Sequence, residues 1–85
     1  MSWTPEFTPS FWRGYRNLDF GVRRRVDEAI RTLLEAKDPR ARSHRLHGRW
    51  QGCYSYEIGR RYRVIFAVEA NTIRFLRVGP HTIYR

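Results

Sequence analysis

The sequence predicts an α+β domain in which a strand and two helices precede a three-stranded antiparallel meander, with both helices on one face of the sheet. Three observations carry this. Between Gly52 and Tyr84, three runs rich in Tyr, Val, Ile and Phe are separated by turn residues at Gly59-Arg60-Arg61 and at Ala70-Asn71, the pattern of two successive hairpins. Upstream, Val22, Val26, Ala29, Ile30, Leu33 and Leu34 recur at three- and four-residue spacing, which makes one apolar helical stripe. Thr8-Pro9 has the chemistry of a helix start, because a threonine hydroxyl accepts from free amides and proline suits the first helical position.

In chain order, Ser2 to Glu6 reads as a short first strand, in which Pro5 points to an edge position or a strand end. A first helix runs from Pro9 to about Leu18, with Phe7 stapled onto Trp12 and with Phe11, Tyr15 and Leu18 on one face. Asp19 caps the second helix, Phe20 to about Lys37, which Asp38-Pro39 ends. Arg23 with Asp27, Arg24 with Glu28 and Arg31 with Glu35 read as ordinary helix-surface pairs. Arg40 to Trp50 is expected to be a basic loop.

In the meander, pairing Ile58 with Tyr62 sets Glu57 opposite Arg63 and Ser55 opposite Ile65. Tyr62, Val64, Phe66 and Val68 then form an apolar face for the helices to cover, and the opposite face is expected to stay open to solvent. In the last strand the apolar phase shifts from Ile73 and Phe75 to Leu76 and Val78, which predicts a bulge near Phe75 or burial on both faces. Gly79-Pro80 stops the ladder and leaves His81 and Tyr84 at the rim.

With 85 residues the chain makes one domain, residues 1–85. Its 17 Lys plus Arg against 8 Asp plus Glu give a formal charge of +9, and every cation except Lys37 is an arginine. Arginine presents a planar fork suited to phosphate and stacks on bases, so a nucleic acid partner is favoured. Arg40, Arg42, Arg45, Arg49 and the turn residues Arg60 and Arg61 suit a phosphate backbone, with Trp50 and Tyr54 for stacking; Arg77 and Ser55 join this RNA-binding set. A single cysteine, Cys53, taken to lie in a strand, excludes an internal disulfide and fits a reducing compartment. No apolar run is long enough to span a bilayer and the start does not read as a signal peptide, so a cytoplasmic protein with no membrane partner is expected.

Glu57, Arg63 and His81 are the residues to watch, although Glu57 and Arg63 by themselves also read as a cross-strand salt bridge. Metal-free RNA cleavage needs a base for the 2′-hydroxyl proton, a cation for the phosphorane charge and an acid for the leaving 5′-oxygen. Imidazole titrates near neutrality, which makes His81 the natural acid, and Arg63 is the natural bidentate clamp. The base is Glu57, His44 or His47, with Glu57 preferred because pairing sets it beside Arg63 on a rigid strand. His44 and His47 have a His-x-x-His spacing but lack the second cysteine pair of a zinc site, so neither metal nor cofactor is expected.

Leu46, Gly48, Gly52, the run Tyr54 to Ile58, Gly59, Tyr62-Arg63-Val64-Ile65-Phe66 and Val78-Gly79 followed by His81 resemble the RelE/ParE superfamily of bacterial and archaeal toxins. The resemblance implies a RelE-like microbial ribonuclease-type fold and, for the RelE branch that includes YoeB and YafQ, cleavage of mRNA in the ribosomal A site. It implies that Arg63 binds the scissile phosphate and that His81 stands at the catalytic histidine of YoeB and YafQ. Glu57 and Ser55 fall where RelE has two lysines, His44 lies near the catalytic glutamate of YoeB, and Tyr84 resembles the C-terminal aromatic, at a shorter spacing from His81. The expected protein is the toxin of a type II toxin-antitoxin pair, a metal-independent endoribonuclease held in a hetero-oligomer by an acidic antitoxin. The rival readings are a ParE-type gyrase inhibitor and a non-catalytic RNA-binding module.

Overall fold

A computed structural model describes residues 3–84, with Tyr84 described by its backbone alone. Five strands and two helices appear in the order β1 (Thr4–Phe7), α1 (Pro9–Arg16), α2 (Phe20–Glu35), β2 (His44–Arg45), β3 (Tyr54–Ile58), β4 (Tyr62–Glu69) and β5 (Thr72–Pro80). Short 3-10 turns occupy Pro39–Arg42, Gly48–Trp50 and His81–Tyr84. The sheet order is β1-β5-β4-β3-β2, with β1 parallel to β5 and every other pairing antiparallel.

The helix starts form as their side chains dictate. Thr8 accepts from the Phe11 amide at 3.0 Å, and Asp19 accepts from the Val22 amide at 3.0 Å. Phe7 packs on Trp12 with ring centroids 4.9 Å apart. Strand β1 begins two residues later than expected, and Ser2 lies outside the described residues. Helix α1 ends at Arg16, although Leu18 is still buried. Helix α2 stops at Glu35, ahead of Asp38-Pro39, because β1 captures its end: the Trp3 amide donates to the Leu34 carbonyl at 3.2 Å and the Trp3 indole to the Ala36 carbonyl at 2.9 Å.

One expected surface pair on α2, Arg23 with Asp27, gives way to longer-range contacts. Asp27 accepts the Tyr15 hydroxyl at 2.7 Å, and Arg23 donates to the carbonyls of Tyr15 and Arg16. Tyr15 is raised above its ordinary value chiefly by that bond to the Asp27 carboxylate.

The helices cover one sheet face. Phe11, Val22, Val26, Ala29 and Leu33 meet Ile58, Val64, Phe66, Ile73, Phe75 and Val78 in a single core. Truncating a fully buried leucine such as Leu33 to Ala in a core of this kind costs roughly 2–5 kcal/mol. Helix α1 crosses β5 so closely that a Cβ at Gly14 would strike the Val78 carbonyl.

Strands β3 and β4 pair as the spacing predicts, Ile58 with Tyr62, Glu57 with Arg63 and Ser55 with Ile65. The expected bulge is present: Ile65 faces Arg77 while Phe66 faces Phe75, so Leu76 is the extra residue. Pairing continues to Pro80, opposite Tyr62, one residue past Gly79.

Two expectations are corrected. The basic segment after α2 is not a plain loop, since His44 and Arg45 pair with Ser55 and Tyr54 as an edge strand and the segment closes through two 3-10 turns. Cys53 stands just before β3 rather than within a strand, its amide donating to Trp50 and its carbonyl accepting from Leu46 at 3.0 Å each; partial burial pushes its thiol up.

Candidate active site

Strand alternation sends two rows of side chains to the face away from the helices. Cross-strand pairing puts His44, Ser55, Ile65 and Arg77 in one row and Glu57, Arg63 and Gly79 in the next. This face is not open as expected. Ser55 is 1% exposed and Ile65 fully buried, and Leu46 and Trp50 of the segment ahead of β3 line the same pocket as Ser55. What remains is a pocket of about 440 Å³ lined by His44, Leu46, His47, Trp50, Ser55, Glu57, Arg63 and His81.

Glu57 is the hub. Its Oε2 lies 3.2 Å from His44 Nε2, and its Oε1 lies 3.6 Å from Arg63 Nη1. The second separation is an ion pair but too long for a hydrogen bond. The Arg63 side chain is only 13% exposed, and its Nη1 is buried with no hydrogen-bond partner among the described residues. An unmet buried donor costs on the order of 1–3 kcal/mol, so an arriving oxyanion would supply the hydrogen bond that the Glu57 ion pair, at 3.6 Å, does not make.

The C-terminal turn closes one side. Gly79 pairs with Arg63, and a Cβ at Gly79 would come within 2.5 Å of Ile83 Cγ2. Ile83 therefore fills the slot that the missing side chain leaves, and His81, in the same turn, lines the pocket. At the other rim the Arg77 guanidinium lies over the Trp50 ring, 5.3 Å from its centroid.

Of the residues singled out in the sequence, the pocket thus gathers Arg63, His81, Glu57, His44, His47, Ser55 and Trp50, with Arg77 stacked at its edge. Others lie elsewhere. Arg45 pairs with Tyr54, so alternation turns it to the reverse face, into a cleft with Asp38, Arg40 and Ser43. Arg42 and Arg49 are exposed on the 3-10 turns, and Arg60 and Arg61 on the β3–β4 turn. Tyr84 follows His81 in the backbone of the last turn; its side chain lies outside the described residues. Leu46 was not assigned to the site from the sequence, although its position in the basic segment ahead of β3 was the available signal. Among the described residues no group of three or more His, Cys, Asp or Glu is placed to hold a metal ion, and no helix is long and apolar enough to cross a membrane.

The fold is shared with solved toxin structures. A YoeB/ParE toxin from Agrobacterium tumefaciens superposes with a TM-score of 0.78 at 20% identity, covering 92% of this chain and 98% of that one. The toxin-antitoxin complex RelBE of E. coli gives 0.74 at 20% identity over 92% and 95% of the chains. A YoeB-YefM complex from Staphylococcus aureus gives 0.70 at 18% identity over 95% and 99%. No curated protein sequence matches the chain. Residues 2–83 match the family profile described as ParE toxin of type II toxin-antitoxin system, parDE. The chain therefore belongs to the ParE toxin family of type II toxin-antitoxin systems, within the RelE/ParE superfamily.

Proposed function

We propose that this toxin is a ribosome-dependent endoribonuclease that cuts mRNA in the A site by metal-free transesterification. The observation that carries this reading is the buried Nη1 of Arg63, which makes no hydrogen bond among the described residues, on the floor of a pocket that also holds Glu57, His44 and His81. A scissile phosphate seated there gives Arg63 its missing acceptor and sets the developing phosphorane charge against a fixed guanidinium. His81 protonates the leaving 5′-oxygen, and the Glu57 and His44 pair supplies the base. Trp50 under Arg77 offers a stacking surface beside the cut, with Ser55 in the floor and Tyr84 assigned to the C-terminal rim. The exposed Arg42, Arg45, Arg49, Arg60 and Arg61 grip ribosomal RNA.

The +9 charge calls for an acidic antitoxin, and two of the similar structures are toxin-antitoxin complexes, which supports a cytoplasmic hetero-oligomer as the resting form. Purified toxin added to ribosomes holding a defined mRNA is expected to cut the A-site codon, leaving a 2′,3′-cyclic phosphate and a 5′-hydroxyl. His81→Ala is expected to lose at least about 100-fold in rate while melting like the parent. Ribosomal mRNA that stays whole with active parent protein overturns the reading. The ParE family match favours one second reading, inhibition of DNA gyrase, which a supercoiling assay on the same preparation detects.

A further inference from the structure

Two candidate bases touch one another in the pocket, a carboxylate and an imidazole, and their contacts are not equivalent. Glu57 is engaged through both oxygens, Oε2 by His44 Nε2 at 3.2 Å and Oε1 by Arg63 Nη1 at 3.6 Å. At 3.2 Å two lone pairs repel, so the imidazole nitrogen that faces the carboxylate is the one that carries the proton. In the neutral ring this leaves the lone pair on Nδ1.

The backbone supports the same division. Strand β2 holds His44 opposite Ser55, and the ladder is extended by the Leu46 amide donating to the Cys53 carbonyl at 3.0 Å. The His44 side chain is nonetheless 72% exposed, against 45% for Glu57, so it stands nearest to a ribose arriving from solvent. Glu57 sits between the His44 imidazole and the Arg63 guanidinium and is the less exposed of the two candidate bases.

We infer that His44 is the general base and that Glu57 is a positioning residue, holding the His44 ring on one side and the Arg63 fork on the other. This rests on the nuclease reading above. In the step itself, the 2′-oxygen bonds to phosphorus as its proton passes to Nδ1 of His44. The bond from phosphorus to the 5′-oxygen breaks, and that oxygen takes a proton from His81. The products are a 2′,3′-cyclic phosphate and a 5′-hydroxyl, with one proton gained by His44 and one lost by His81.

The test is single-turnover cleavage on mRNA-programmed ribosomes with His44→Ala, Glu57→Gln, Glu57→Ala, Arg63→Ala and His81→Ala, each checked for an unchanged melting curve. His44→Ala is expected to fall by about 100-fold or more and to recover in part when free imidazole is added, because the exposed position admits it. Glu57→Gln keeps an oxygen that accepts from Nε2–H and is expected to stay within about tenfold of the parent, while Glu57→Ala falls well below it. His44→Ala cutting at the parental rate, or failing to respond to imidazole, overturns the assignment, as does Glu57→Gln being as inactive as Glu57→Ala. Parent protein that leaves the mRNA whole would instead remove the nuclease reading itself, and full cleavage by both Arg63→Ala and His81→Ala would move the chemistry out of this pocket, so the failures are distinguishable.

Discussion

At the scale of single residues, Arg63 differs from the other described arginines in its burial, which is what makes it the proposed binding group. Most arginines here lie in solvent or are spent on carboxylates and carbonyls, as Arg40 is on Asp38, Arg74 on Glu6 and Arg23 on two carbonyls of α1. Arg63 is covered yet keeps a guanidinium nitrogen without a hydrogen bond among the described residues. Arg63→Lys retains the charge but not the planar fork, so cleavage is expected to drop by roughly 100-fold with the fold unchanged; a lysine variant of parental rate would mean that charge alone suffices. Tyr15 makes a separate prediction about stability. Its phenol donates to Asp27, and this raises its folded titration point above the ordinary 10.0. A raised value means that the bond's contribution is complete below the unfolded titration point and is lost as pH climbs through the folded one. Tyr15→Phe is therefore expected to melt below the parent near pH 8, with the gap closing above about pH 10. A gap independent of pH would assign the difference to packing.

At the scale of elements, the C-terminal turn is placed by an absence. Gly79 lies opposite Arg63 and has no side chain, and Ile83 takes the space. Gly79→Ala forces Ile83 out of the slot, and His81 travels in the same four-residue turn. The expected result is a large fall in kcat with a modest change in melting temperature; an alanine variant that cuts normally would show that His81 is held some other way. The β4–β5 turn offers the opposite case: Ala70 has φ 53, a left-handed value that alanine tolerates poorly. Ala70→Gly is expected to stabilise the domain by about 1 kcal/mol in denaturant unfolding. These elements also show what a sequence can reveal. The register that sets Glu57 against Arg63 and the bulge after Phe75 follow from a strict period of two and a break in it, so both were legible. Strand β2 was not, because two residues, His44 and Arg45, are too few to show alternation and their pairing with Tyr54 and Ser55 depends on the fold. This side of the site was hidden for a related reason. Leu46 and Trp50 sit in a segment whose composition is that of a solvated loop, and only tertiary packing brings them to the pocket beside Ser55 and Arg63.

At the scale of the molecule, the proposed chemistry and the proposed grip on RNA fall in different places. The sheet face away from the helices holds the pocket, while Arg42, Arg45, Arg49, Arg60 and Arg61 lie outside it, on the turns beside the sheet and at its β2 edge. Phosphate contacts made by exposed arginines release counterions, and each contributes a nearly fixed step to the dependence of binding on salt. Replacing one of these five by Ala is expected to weaken RNA binding about equally for every sequence and to reduce the slope of log K against log salt by about 0.7–0.9. Arg63→Ala is expected to do the reverse, abolishing cleavage while changing the slope by no more than a single contact. Titrations of a labelled single-stranded RNA at several salt concentrations, run beside the cleavage assay, measure both quantities on the same variants. If the exposed arginines leave the slope untouched, the +9 charge serves the acidic antitoxin rather than RNA, and the same variants should then weaken the toxin-antitoxin complex in a salt-dependent way.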